Sequence, residues 1–74
     1  MTTEEKLKKI IKSLTPVSSE IGLESDLKND LQLDSVALIQ IVIRVDLDFG
    51  VDLGKAIEQG HKIVTVRDIL KCLQ

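Results

Sequence analysis

Between Leu38 and Leu53 the chain obeys two periods at once, and the fold class turns on which one governs. Every odd position from Ile41 to Leu53 is apolar, and every even one except Val42 is polar or glycine, the alternation of a strand. The β-branched residues Ile39, Ile41, Val42, Ile43 and Val45 reinforce that pattern. Yet Leu38, Ile41, Val42, Val45 and Phe49 fall at i, i+3, i+4, i+7 and i+11, one face of a helix. A strand from Ile41 to Leu53 would be long, and no second strand is evident for it to pair with. A helix from Ser35 to about Phe49 is the better reading of the residues.

The two ends are simpler. Leu7, Ile10, Ile11 and Leu14 form one helical face with lysines on the other side. Thr2 and Glu5 stand at capping-box spacing and start that helix near Thr3, while Pro16 stops it at Leu14. Val66, Ile69, Leu70 and Leu73 repeat the spacing near the C-terminus, with Thr65 and Asp68 as a second capping box, which predicts a helix over 66–73. Lys55–Gln59, between Gly54 and Gly60, reads as one or two helical turns. From Pro16 to Asp34 runs a long polar loop with isolated apolar residues, Val17, Ile21, Leu23, Leu27, Leu31 and Leu33, spaced to pin it across a bundle. A loop that long in a small domain usually has a function.

The 74 residues allow one domain. With Phe49 as the only aromatic, the core must be aliphatic. One cysteine excludes an internal disulfide, and with one histidine it excludes the usual zinc clusters. No apolar run is long enough for a membrane span, and the N-terminus is too polar and acidic for a signal peptide, so a soluble cytoplasmic domain is expected. The middle of the chain is acidic: Glu20, Glu24, Asp26, Asp30, Asp34, Asp46, Asp48 and Asp52 stand against Lys28 and Arg44. Each flank carries four basic residues against two acidic ones. That distribution argues against nucleic acid and anionic membranes as partners and for attraction to a basic protein surface.

The junction Asp30-Leu31-Gln32-Leu33-Asp34-Ser35-Val36, where the loop meets the central helix, resembles the carrier proteins of fatty-acid, polyketide and nonribosomal peptide synthesis. In that family an Asp-Ser-Leu-like tripeptide opens the second of four helices, and its serine bears 4′-phosphopantetheine, whose thiol holds an acyl group as a thioester. Asp34-Ser35-Val36 matches with Val for the commoner Leu, and Asp30-Leu31 matches the pattern Asp-Leu-Gly-x-Asp-Ser with Gln32 in place of glycine. Phe49-Gly50-Val51-Asp52-Leu53 is similar to the exit of the family's second helix, and Ile63-Val64-Thr65-Val66 to the entry of its last. The resemblance implies an all-α four-helix bundle over residues 1–74, with a long loop between the first two helices and a short third helix. It also implies that the middle segment is a helix.

The same resemblance implies a monomeric carrier, not an enzyme. Its cofactor would be a covalent 4′-phosphopantetheine on Ser35, with Asp34 and Val36 flanking the attachment. Its partners would be a phosphopantetheinyl transferase, acyl-transferring or condensing enzymes, and the acyl chain itself. By the same resemblance the transferase would supply the base and the magnesium ion. His61 is the only histidine, with no Ser-His-acid arrangement suggested around it, so hydrolase activity is not expected. Taken alone, Asp34-Ser35 is an ordinary helix cap, and Asp34 would serve both roles. Carriers of bacterial fatty-acid synthesis line the second helix with carboxylates that meet Arg and Lys on partner enzymes. Here the corresponding docking positions are Ala37, Gln40 and Leu47, with Arg44 nearby and only Asp46 and Asp48 acidic along the helix. Docking by apolar contact more than by charge is the expectation, against the alternative of scattered surface apolars. Val36, Ile39, Ile43, Ile63 and Val64 are the expected lining of an acyl pocket, each with core packing as its alternative. Cys72 reads as a partly buried hydrophobe without an electropositive neighbourhood, and His61 as a loop residue. Two rivals stand beside the carrier reading: a peptidyl or aryl carrier of a nonribosomal pathway, and a helical interaction domain that is never modified.

Overall fold

The computed structural model describes residues 2–17 and 20–74; Ser18 and Ser19, part of the expected loop, lie outside the described residues. Four helices follow one another: α1 (Thr3–Leu14), α2 (Ser35–Phe49), α3 (Leu53–Glu58) and α4 (Val66–Leu73). Helix α1 packs on α2 and α4, and α3 closes the ring by packing on the same two. Among the described residues there is no strand, only one isolated antiparallel bridge between Asp26 and Thr65. The chain is an all-α bundle.

Each helix starts where a side-chain oxygen satisfies an N–H that the first turn leaves free. Thr2 accepts from the Glu5 N–H at 3.1 Å. Asp34 accepts from Ala37 at 2.8 Å, and Asp52 from Lys55 at 3.0 Å. Thr65 and Asp68 form a complete capping box. Helix α3 therefore begins at Leu53, two residues before the expected Lys55, because the Asp52 carboxylate sets its first turn and takes Gly54 inside it. Helix α2 ends at Gly50, whose φ of 70° lies in the left-handed region that glycine adopts without penalty. The alternation that continues past Phe49 thus belongs to a turn and a new helix.

The core is aliphatic. Leu7, Ile10 and Ile11 of α1, Ile41 and Val45 of α2, Leu53 of α3, and Val66, Ile69 and Leu70 of α4 are all buried. The long loop supplies Ile21, Leu27, Leu31 and Leu33 to the same core, so it lies across the bundle as its spacing predicted. Leu23 and Val17 are half-buried. Hydrogen bonds fix the loop to the start of α4: Leu27 N–H donates to the Val64 carbonyl at 2.9 Å, and Arg67 N–H to that of Leu23 at 2.9 Å. Val66 N–H donates to the Ser25 carbonyl at 3.2 Å. At the other end the Thr15 hydroxyl donates to the Leu31 carbonyl, which ties the exit of α1 to the approach of α2.

Candidate functional site

Ser35 is the first residue of α2 and is exposed. Its position follows from the residues before it. Leu31 and Leu33 are buried, only 2% and 3% exposed, and they bracket Gln32 at a positive φ of 52°. Both leucines turn into the core on either side of it, and Asp34 emerges at the surface. Asp34 then caps α2 through its Oδ1, and its backbone carbonyl accepts from the Leu38 N–H at 3.0 Å. The N–H groups of Ser35 and Val36 have no intrahelical acceptor, as in any first turn, and no acidic residue occupies that turn. An anion attached to the Ser35 oxygen would lie beside these donors at the positive end of the helix dipole, worth about 0.3–1 kcal/mol.

Upstream, Asp26 organises the loop in a similar way. Its Oδ1 accepts from the N–H groups of Lys28 and Asn29, both at 2.9 Å, while Asp30 accepts from the Asp26 N–H at 2.8 Å. The Asn29 N–H above all holds the Asp26 carboxyl below its usual 3.8. Asp68 is lowered likewise, first by the Thr65 N–H and then by that of Val64. Much of the acidic middle is thus occupied. Asp26, Asp30, Asp34 and Asp52 accept backbone hydrogen bonds, and Glu24 pairs with Arg67.

Between the helices lies an apolar cavity of about 80 Å³, lined by Leu27, Leu38, Ile41, Val42, Leu53, Ile57, Ile63 and Ile69. Leu27, Leu38 and Ile63 also line an outer groove of about 260 Å³ with Asp26, Lys28, Asn29 and Val64. The groove reaches the surface one helical turn from Ser35, at Leu38. Of the expected lining residues, Ile63 lines both spaces and Val64 the groove alone. Ile39, Ile43 and Val36 line neither; they are 58%, 52% and 64% exposed. The difference has a simple cause. The cavity lies on the side of α2 that faces α3, where the helical period brings Leu38 and Val42, and positions 39 and 43 turn outward by one residue's rotation. Leu38 and Val42 were already on the inward face of the sequence pattern, which is the signal that identifies them.

The docking positions also separate. Leu47 is 76% exposed and Gln40 and Arg44 are exposed, whereas Ala37 is half-buried. Arg44 and Asp48 line a cleft of about 500 Å³ between α1 and α2, with Lys6, Lys9, Ile10 and Ser13. Nothing in the periodicity of either helix alone joins these residues. Cys72 is half-buried and lines a cleft with His61, Lys62, Asp68 and Lys71.

The family model of the phosphopantetheine attachment site matches residues 5–73, nearly the whole chain, with Ser35 inside the matched range. An acyl carrier protein of Coprothermobacter proteolyticus is 38% identical over 71 residues, spanning 95% of this chain and 84% of that protein. This chain belongs to the acyl carrier protein family. A second relative, the acyl carrier protein of Nitratidesulfovibrio vulgaris, is 34% identical over 71 residues, 95% of this chain and 91% of its own. That of Helicobacter acinonychis is 28% identical over 65 residues, 88% and 81% of the two chains. Members of the family are carriers and not catalysts: their cofactor is phosphopantetheine, and an acyl chain and the enzymes that act on it are their partners. No helix of this acyl carrier protein is long and apolar enough to cross a membrane, among the described residues.

Proposed function

We propose that Ser35 is the attachment residue, and that the chain holds acyl intermediates as thioesters on a 4′-phosphopantetheine arm for enzymes of fatty-acid, polyketide or related biosynthesis. One observation carries the reading: Ser35 is an exposed hydroxyl at the first position of a capped helix whose opening turn has no carboxylate of its own. The oxygen of Ser35 attacks the phosphorus of a nucleotide-linked phosphopantetheine donor held by the transferase. The new O–P bond replaces the donor's pyrophosphate bond, the nucleotide phosphate leaves, and the serine proton goes to a base of the transferase. The resulting phosphodiester lies against the Ser35 and Val36 N–H groups. Asp34 keeps the helix end in place through its bond to Ala37. Through that bond it positions Ser35.

The acyl chain enters by the groove at Leu38, Ile63 and Val64 and ends in the cavity behind it. An apolar cavity of about 150 Å³ accommodates benzene. At about 80 Å³ this one suits a short apolar group, and a longer chain has to part α2 from α3. The deciding experiment is co-expression with a broad-specificity phosphopantetheinyl transferase followed by intact mass measurement. The mass is expected to rise by one phosphopantetheine in the unaltered chain and not in Ser35→Ala. No rise, under conditions that load a control carrier, would return the chain to the unmodified interaction domain.

A further inference from the structure

The outward side of α2 is apolar along its length. Val36, Ile39, Ile43 and Leu47 recur every three or four residues, so they form one stripe, and all are at least half exposed. On its α1 side the stripe borders the cleft that holds Lys6, Lys9 and Arg44 against the single carboxylate of Asp48. None of the three cations forms an ion pair among the described residues, where the pairs are Lys8 with Glu4 and Arg67 with Glu24. Of the other carboxylates in the acidic middle, Asp34 and Asp52 cap helices, Asp26 and Asp30 hold the loop turn and Glu24 pairs with Arg67. Asp46 joins Asp48 on α2 itself.

We propose that this face docks a partner protein whose groove is apolar and rimmed by carboxylates on the side that meets α1. The proposal rests on the carrier reading, because a carrier must present its arm to enzymes beside Ser35. Its charge sense is opposite to what the acidic composition of residues 20–52 suggests. Area argues for a passing partner. Four aliphatic side chains expose roughly a few hundred Å², the size of patch that marks an interaction site, whereas a stable complex takes about 800 Å² from each side. A second copy is the weaker occupant. Antiparallel pairing of two α2 helices about a two-fold axis sets the cationic edge of one against the same edge of the other. With an acidic rim opposite, the cations would hasten encounter and fix orientation, while the stripe supplies the contact.

The test is a binding measurement that does not need the arm. The Ser35→Ala chain is titrated by calorimetry with a carrier-dependent acyltransferase whose docking groove is ringed by Arg and Lys, and with the same enzyme bearing Glu at those positions. Binding to the Glu-ringed form is expected to be at least tenfold tighter. A Lys9→Glu/Arg44→Glu version of the chain should gain at least tenfold for the unaltered enzyme, an arm that holds if the altered enzyme does not fold. Leu47→Gln should weaken the preferred pairing at least fivefold. Tighter binding of the starting chain to the Arg/Lys-ringed form overturns the proposal. So does the absence of any preference, or a stable dimer in sedimentation that Leu47→Gln dissociates. Loading of Ser35 is read separately by mass, so a failure there and a failure here are distinguishable.

Discussion

Helices α1 and α4 differ from α2 in how they spend their apolar residues. In α1 and α4 the large aliphatics turn inward: Leu7, Ile10 and Ile11 are buried, as are Val66, Ile69 and Leu70. Lysines, glutamates and Arg67 take the other sides. In α2 only Ile41 and Val45 are fully buried, while Val36, Ile39, Ile43 and Leu47 stand in solvent. Packing within the chain accounts for the first pattern completely. It leaves the outer half of the second without a structural use, and that half begins one residue after Ser35. The outer helices hold the fold; the outer side of α2 is available for encounter.

The largest expected effect breaks this comparison if it fails. Leu7→Ala removes a fully buried side chain and should cost about 3 kcal/mol, within the 2–5 range of such truncations. A domain of this size has about 4–11 kcal/mol in total, so the variant should melt far below the parent in a thermal scan. Leu47→Gln, by contrast, should stay within about 0.5 kcal/mol of it. A loss above about 1 kcal/mol at Leu47 would mean that the outer stripe belongs to the fold, and the contrast with α1 would disappear.

A second effect separates the start of α4 from that of α2. Asp26 and Asp68 lie on either side of the bridge that ties the loop to α4, and backbone N–H groups lower both carboxyls from 3.8. A carboxyl with a lower value in the folded chain than in the unfolded one stabilises the fold fully above the unfolded value. That contribution is lost as the pH falls below 3.8 and through the folded values. The melting temperature should therefore be steady at neutral pH and fall with acidification below about 4. Asp68→Asn keeps an acceptor but no longer titrates, so it should flatten that fall. An unchanged slope would show that this junction is not where acid acts. Thr65→Ala, which removes the other half of the box, should cost about 1 kcal/mol at any pH.

The sequence revealed what depends on neighbours along the chain and hid what depends on neighbours in space. Thr2, Thr65 and Asp68 announce their helices because a cap and its N–H are three residues apart, and the observed bounds of α1 and α4 follow from them. Asp52 has the same spacing to Lys55, but alternation through Leu53 obscured it, so α3 was expected two residues late. The cavity was half legible. The helical face that includes Leu38 and Val42 was recognised, yet Ile39 and Ile43 were assigned to the pocket by likeness instead of by that face. Where the charges lie in space was not legible in the composition: the meeting of Lys6, Lys9 and Arg44 requires α1 to lie against α2.

The smallest effect sharpens the comparison at the point where loop and α2 join. Gln32 has φ of 52° and stands where the Asp-Leu-Gly-x-Asp-Ser pattern has glycine. An L-residue in the left-handed region costs about 1–2 kcal/mol. Glycine removes that cost but gives up about 0.5–1 kcal/mol because its unfolded chain is freer. Gln32 is exposed, so its side chain has little packing to lose. Gln32→Gly should then stabilise the chain by up to about 1 kcal/mol, a rise of about 4–8 °C in a thermal scan. Leu31 and Leu33 hold Ser35 in place by burial on either side of position 32, so the rate of loading at Ser35 should not change. If stability rises and loading slows, the strained glutamine contributes to presenting the serine. If stability falls, its side chain makes a contact that outweighs the backbone cost, and the approach to α2 is held by more than its two leucines.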